Sequence, residues 1–391
     1  MLIKIEQAKV ALYSVAMMIK NKLFSCTKKT SNEKIVLIVF QQIFGDAVLL
    51  STTLEGYVKL FPKEKGYKIL LLCRPSVKKF MKDVLLVPSA IQLQEVDFSK
   101  LVRDCKYFRF VLNEYVNNAE VAIIPGSSMS AEILMTAASV KRKIGLVQCE
   151  KRVWPPASVF FQKHAYTEYI RPKEEMMVLQ RHKLLMQELG LKNFRSCMPR
   201  LLPQKKIFRE RPYYVVCPGA SKPEKCWPLE RFVQIIDFII DELNVDAYIC
   251  GGADEATYAM YILENTKHPS NVYDFVGKTT FCEWAEIVQN AECVIGNDSA
   301  TLHLAAASGR KAICIAGVYD KGHFFPYSVD ELKSDERLPI TLYVDVPCEL
   351  CRTKGYYSGY GNAKCKKTIQ ENKCALCVDA ITVDDVKQKI K

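Results

Sequence analysis

No run of about 18 uncharged apolar residues occurs in the chain, and a membrane-crossing helix needs one. None is expected. A secretory leader is not expected either. The apolar stretch from Val10 to Ile19 runs straight into Lys20, Asn21 and Lys22, where small residues should mark a cleavage site. Short tandem repeats are missing, which argues against a solenoid. The basic residues do not gather into one long run, and no nucleic-acid-binding module stands out. The formal charge of +12 therefore points to anionic partners of another kind: phosphates, nucleotides, acidic glycolipids or an anionic membrane face.

What is present is a folded globular composition. Of 391 residues, 49% are hydrophobic and 25% charged, and the length suits two domains with extensions. Several of the 16 cysteines, such as Cys217, Cys250 and Cys314, lie inside apolar strand-like runs, as buried thiols of a reducing compartment do. A cytoplasmic location is expected. The first 33 residues read as a basic extension, with lysines at Lys4, Lys9, Lys20, Lys22, Lys28 and Lys29. They form either a helix on an anionic membrane surface or one packed on the first domain.

From residue 34 the pattern alternates. Ile35 to Phe40 is a continuous apolar run with β-branched residues, the mark of a strand buried on both faces. A helical stretch from Ala47 to Phe61 follows. Ile69 to Leu72, Val121 to Ile124 and Lys143 to Val147 read as further strands. A helix from Glu174 to Leu189 leads to a basic, proline-punctuated connector. A second alternating series follows, with strands at Tyr213 to Cys217, Ala247 to Cys250, Val272 to Phe275, Cys293 to Ile295 and Ala312 to Ile315. Such alternation predicts two doubly wound α/β domains with parallel sheets. The boundaries follow: a basic extension at 1–33, a first Rossmann-like domain at 34–205, a second at 206–345, and a cysteine-rich tail at 346–391. Ligands of such sheets bind beyond the carboxyl ends of the strands, so residues just after strands are the candidates.

Four segments pass that filter. Gly45-Asp46 follows the first strand, and Asp46 is either a general base or a helix cap. Pro218-Gly219-Ala220-Ser221 leads to Lys225-Cys226-Trp227-Pro228, a loop that offers N–H groups and a lysine to an anion. Gly251-Gly252-Ala253-Asp254-Glu255 can bring a carboxylate to ribose hydroxyls. In Asn297-Asp298-Ser299-Ala300-Thr301-Leu302-His303 a strand turns tightly into a helix whose first N–H groups suit phosphate. His303 faces either ligand or core, and a lone histidine is more often in the core.

Taken together, these segments resemble the heptosyltransferase family of inverting glycosyltransferases. The features that carry the resemblance are the early Gly-Asp, the Lys-x-Trp-Pro segment, the Asn-Asp-Ser-x-x-x-His-Leu-Ala-Ala run and Gly277-Lys278-Thr279-Thr280 before a Glu-containing helix. The resemblance implies a GT-B fold, two Rossmann-like doubly wound domains facing a cleft. It also implies a donor such as ADP-heptose held by the second domain and a glycolipid acceptor, lipopolysaccharide or similar, held by the first. By the same likeness Asp46 is the base, Lys225 meets the diphosphate, Glu255 the ribose and Asp298 the transferred sugar. Ser221, Ser299, Ala300 and His303 complete the donor site. Ala220-Ser221 and Ser299-Ala300 stand where some members carry Thr-Thr and Thr-Gly. No catalytic cofactor is implied, and no Asp-x-Asp metal pair occupies the turns. With the basic N-terminal extension, association with the inner face of the plasma membrane is a further expectation.

Cys348, Cys351, Cys365, Cys374 and Cys377 form a cluster with two Cys-x-x-Cys pairs, which suits a structural zinc; disulfides or free thiols are the alternatives. Two other functions stay open: a nucleotide-sugar-binding protein without activity, and a nucleic-acid-binding protein.

Overall fold

The structure, a computed structural model, describes residues 2–23, 33–126, 128–147, 156–173, 176–204, 211–318, 321–346 and 374–391. The chain divides into two compact units. One takes in residues 1–82, 86–174 and 180–195, the other residues 83–85, 175–179 and 196–391.

In chain order the first unit and its approach to the second comprise α1 (Leu2–Leu23), β1 (Lys34–Val39), α2 (Phe44–Ser51), α3 (Leu54–Leu60), β2 (Tyr67–Cys73), α4 (Pro75–Val84) and β3 (Ile91–Glu95). Then come α5 (Phe98–Leu101), α6 (Cys105–Val111), β4 (Ala119–Ile124), α7 (Met129–Ala137), β5 (Arg142–Leu146), α8 (Pro156–Ala165), β6 (Glu168–Ile170) and α9 (Val178–Glu188). The strands form one parallel sheet in the order β3-β2-β1-β4-β5-β6. Val36 to Val39 are wholly buried, as a central parallel strand covered on both faces must be.

The helix expected from Ala47 to Phe61 is in fact two, α2 and α3. The hydroxyls of Thr52 and Thr53 donate to the carbonyls of Leu49 and Leu50 at 2.8 Å each, and such back-bonding competes with helix continuation. The helix expected from Glu174 begins at Val178. Strands β3 and β6 were not foreseen: β3 alternates buried and exposed residues, and β6 is three residues long. Helix α1 packs on its own unit. Val10 is buried in the core, the Ser14 hydroxyl donates to the Ile133 carbonyl at 2.6 Å, and the Asn21 amide donates to the Ala137 carbonyl at 2.9 Å.

The second unit runs β7 (Tyr213–Cys217), α10 (Leu229–Leu243), β8 (Asp246–Ile249), α11 (Ala256–Asn265), β9 (Val272–Asp274), α12 (Phe281–Asn290), β10 (Cys293–Asn297), α13 (Ala300–Ala307), β11 (Lys311–Ile315), β12 (Ile340–Leu342), α14 (Leu376–Asp379) and α15 (Val383–Ile390). Its parallel sheet has the order β9-β8-β7-β10-β11-β12. Both sheets thus start at an inner strand, grow outward, then reverse, which is the Rossmann order. Phe232, Ile235, Ile236 and Ile239 of α10 lie fully buried with Val378, Ile381 and Val386 of the C-terminal segment. Each such side chain contributes roughly 1.5–3 kcal/mol. The Thr280 segment closes a capping box. The Glu283 carboxylate accepts from the Thr280 N–H at 2.7 Å, and the Thr280 hydroxyl accepts from the Glu283 N–H at 3.3 Å, so that motif starts a helix. Among the described residues, no helix is long and apolar enough to cross a membrane.

Candidate active site

In the second unit the strand order reverses between β7 and β10, and the loops after these strands meet there. Lys225 ends a single 3-10 turn, Pro223–Lys225. Its ammonium lies 3.2 Å from a carboxylate oxygen of Asp298, the first residue after β10. The two residues are only 7% and 9% exposed. An ion pair this deep needs well-placed partners to offset desolvation. Asn297 supplies part of the frame. Its amide donates to the Pro218 carbonyl at 2.7 Å, and its carbonyl accepts from the Trp227 N–H at 3.0 Å. One buried asparagine therefore pins both ends of the Lys225 loop to β10. Behind the loop, the Trp227 indole donates to the Ile381 carbonyl at 2.8 Å, and the Ala375 N–H donates to the Glu224 carbonyl at 3.1 Å.

Ser299 is the N-cap residue of α13. Its hydroxyl is closed off from solvent without a hydrogen-bond partner. Such a group costs about 1–3 kcal/mol until something bonds to it. Ala300 opens the helix, whose first-turn N–H groups have no intrahelical acceptors. Ser221 lies exposed on the opposite loop. Glu255 follows β8, and its carboxylate accepts from the Gly252 N–H at 3.2 Å. Burial pushes its pKa up from 4.5 to about 7. Gly219 leaves the room it occupies: a Cβ there would fall 2.0 Å from the carboxyl group.

His303 points into the core. Its Nδ1 lies 2.6 Å from the Tyr327 hydroxyl, and its ring stacks on Phe325 with centroids 4.8 Å apart. Burial, with the Lys225 charge second, pulls its pKa down from 6.5 to about 3. The imidazole is therefore neutral near pH 7.

The first unit brings a different set together. Asp46 stands half-buried in the first turn of α2, where a carboxylate is favoured by the helix dipole; Ile43, not Asp46, holds the N-cap position. Four residues before it in sequence, Gln42 reaches from the end of β1 to the end of β4, donating to the Gly126 carbonyl at 3.1 Å. The Gln42 carbonyl oxygen is buried without a partner. The Gln41 main-chain carbonyl accepts from the Arg74 side chain at 2.7 Å, and its amide oxygen accepts from Ser128. His182 of α9 hydrogen-bonds to the Leu49 backbone in α2, and burial pulls its pKa down to about 4. Sequence reasoning passed over Gln41, Gln42, Arg74 and His182, and it gave Asn297 no role of its own within the Asn-Asp-Ser run. The two glutamines and Arg74 sit just after strands, so the strand-end filter had reached them. Nothing local marked His182.

Cys348, Cys351 and Cys365 lie outside the described residues. Cys374 and Cys377 are buried in the apolar core of the second unit. Among the described residues no three metal-ligating side chains gather.

The family model of glycosyltransferase family 9 (heptosyltransferase) matches residues 116–336. A lipopolysaccharide heptosyltransferase 3 of Escherichia coli is 30% identical over 118 residues, 30% of this chain and 34% of that protein. The chain thus spans about a third of the length of the curated relatives it matches first. Two solved structures share the fold. An ADP-heptose lipopolysaccharide heptosyltransferase II of E. coli has a TM-score of 0.61 at 15% identity, covering 91% of this chain and 97% of that one. A glycosyltransferase family 9 protein of Veillonella parvula has a TM-score of 0.66 at 16% identity, covering 93% and 98%.

Proposed function

Because this chain belongs to glycosyltransferase family 9, the heptosyltransferase family, we propose that it moves a heptose or similar sugar, with inversion, from a nucleotide-sugar donor such as ADP-heptose to a hydroxyl of lipopolysaccharide or another cell-surface glycolipid. The observation that carries this reading is the buried Lys225–Asp298 pair at the reversal point of the second sheet, with the unpartnered Ser299 hydroxyl beside it.

The donor lies at the strand ends of the second unit. Glu255 accepts from the ribose hydroxyls, and the diphosphate meets Lys225, Ser221, Ser299, Ala300 and the first turn of α13. Asp298 orients the transferred sugar. His303, buried against Tyr327 and Phe325, takes no contact with the donor and supports the first turn of α13 from the core side. Asp46 removes the proton of the acceptor hydroxyl as that oxygen forms its bond to the anomeric carbon. The bond from that carbon to the diphosphate breaks on the opposite face, and the leaving group takes the electron pair, so configuration inverts. Lys225 and the helix terminus stabilise the growing negative charge. That is the work a metal does in other transferases, and no metal is assigned a step. The reaction takes place on the cytoplasmic side of a membrane that carries the acceptor.

The test offers ADP-, GDP- and UDP-sugars with a glycolipid extract, with and without EDTA, to the wild type and to Asp46→Asn. One donor should be consumed despite EDTA, with inverted product, while Asp46→Asn binds that donor and turns it over far more slowly. Loss of turnover in EDTA would remove the metal-independent mechanism. An active Asp46→Asn would remove the base. Donor binding with no consumption by any form leaves a nucleotide-sugar-binding protein.

A further inference from the structure

Helix α1 is apolar on both of its faces, unlike a helix whose outer side meets only water. Val10 turns inward into the core and Ser14 onto α7. The outward side, which is normally polar, carries Ile5, Leu12, Ile19 and Leu23 at 43, 70, 49 and 71% exposure. At the helical repeat, steps of seven and four residues keep these side chains in one stripe. The exposed Ala8 and Ala16 fill it in.

Cations border the stripe on both sides. Lys9 and Lys20 lie exposed along one edge, and the Arg109 guanidinium of α6 stands 4.5 Å from the centroid of the Tyr13 ring on that same edge. On the other edge Lys22 is close enough to help lower the pKa values of Lys143 and of His164 in α8. Exposed Lys163, Val159 and Phe160 belong to that helix too. Glu6 is the one acid in α1, and Lys9 neutralises it at 2.6 Å.

We propose that this face of α1 docks on an anionic lipid bilayer, with the Ile5–Leu12–Ile19–Leu23 stripe in the boundary between headgroups and acyl chains and the lysines on lipid phosphates. A stripe of large apolar residues flanked by lysines has the chemistry of an interfacial helix, and lysine stems let the charges reach the headgroups. A second copy of the chain is the poorer occupant, because a symmetric pairing sets the lysine rows against each other. The inference rests on the reading that the acceptor is lipid-borne, but its test needs no catalysis.

The experiment is flotation of the full chain with vesicles of phosphatidylcholine alone and of phosphatidylcholine mixed with phosphatidylglycerol. The chain should float with the anionic vesicles, and less so as salt rises. L12D/I19D should weaken binding by roughly tenfold or more, and K20E/K22E by roughly tenfold. All four positions are exposed, and circular dichroism checks that the variants are folded. In Leu12→Trp, the new emission should shift blue on anionic vesicles alone. Undiminished binding of L12D/I19D, equal binding to both vesicles, or a lipid-free dimer dispersed by these substitutions would each overturn the proposal. Vesicle binding without donor turnover would leave it standing while the transferase reading fell. Turnover of a soluble acceptor without vesicle binding would do the reverse.

Discussion

The two sheets share one strand order, yet their reversal points are bridged by different chemistry. In the first unit a neutral side chain makes the bridge, Gln42 to the Gly126 carbonyl. The candidate base Asp46 follows it in sequence, half-buried in a first helical turn. In the second unit the bridge is the buried ion pair Lys225–Asp298, framed by Asn297. Asp46 is half-buried, whereas Lys225 and Asp298 are more than nine-tenths buried. A buried pair cannot lose a member without leaving a stranded charge. An exchange at the first point should therefore disturb the fold less than one at the second.

Substitutions put that contrast to the test. The largest effect falls on Asp46→Asn. Turnover should drop by about 10²–10⁴-fold with donor affinity and melting temperature little changed; a strongly destabilised variant would erase the contrast. Next comes Lys225→Met, which should lower unfolding free energy by about 3–5 kcal/mol and donor binding with it. Adding Asp298→Asn should restore much of the stability and none of the binding, as denaturant titration alongside calorimetry would reveal.

Each unit also hides a neutral histidine, so here the two should behave alike. The pKa of His182 falls to about 4 and that of His303 to about 3, against 6.5 in the unfolded chain. Below pH 6.5 the unfolded chain binds protons that the fold refuses. The stability these groups contribute is present above pH 6.5 and drains away as pH falls toward 4. The loss per histidine is on the order of 3 kcal/mol. Melting temperatures of His182→Gln measured from pH 7 to 4 should show a shallower decline than the wild type.

Glu255 gives a smaller effect. Because its carboxyl titrates near pH 7, donor affinity should rise roughly tenfold as pH passes through 7 and the group becomes a charged acceptor. Glu255→Gln should flatten that profile. The smallest effect is expected from Gln42→Leu, a roughly fivefold change in acceptor KM with donor affinity untouched. A change in donor affinity instead would move Gln42 out of the acceptor side.

The strands with continuous apolar runs were legible because burial on both faces leaves no alternation to misread, as in Val36 to Val39. Their ends were legible too, which is why Asp46, Lys225, Glu255 and Asp298 could be named before any fold was known. The break after Ser51 escaped, because two threonine hydroxyls decide it and threonine is ordinary within helices. Strand β12 escaped because its three residues, Ile340 to Leu342, are strand only by pairing with β11. His303 was left between ligand and core, and Tyr327, 24 residues onward, is what holds it.

The alternation of the long apolar strands with helices, and the residue types at their ends, were written into the sequence by itself, since periodicity and turn chemistry act over a few neighbours. Three things belonged to the tertiary structure alone. Lys225 closes on Asp298 from 73 positions away, Asn297 ties down both ends of a loop it does not belong to, and α1 turns its apolar stripe outward. Each depends on which surfaces meet when the sheets close, and no local pattern carries that information.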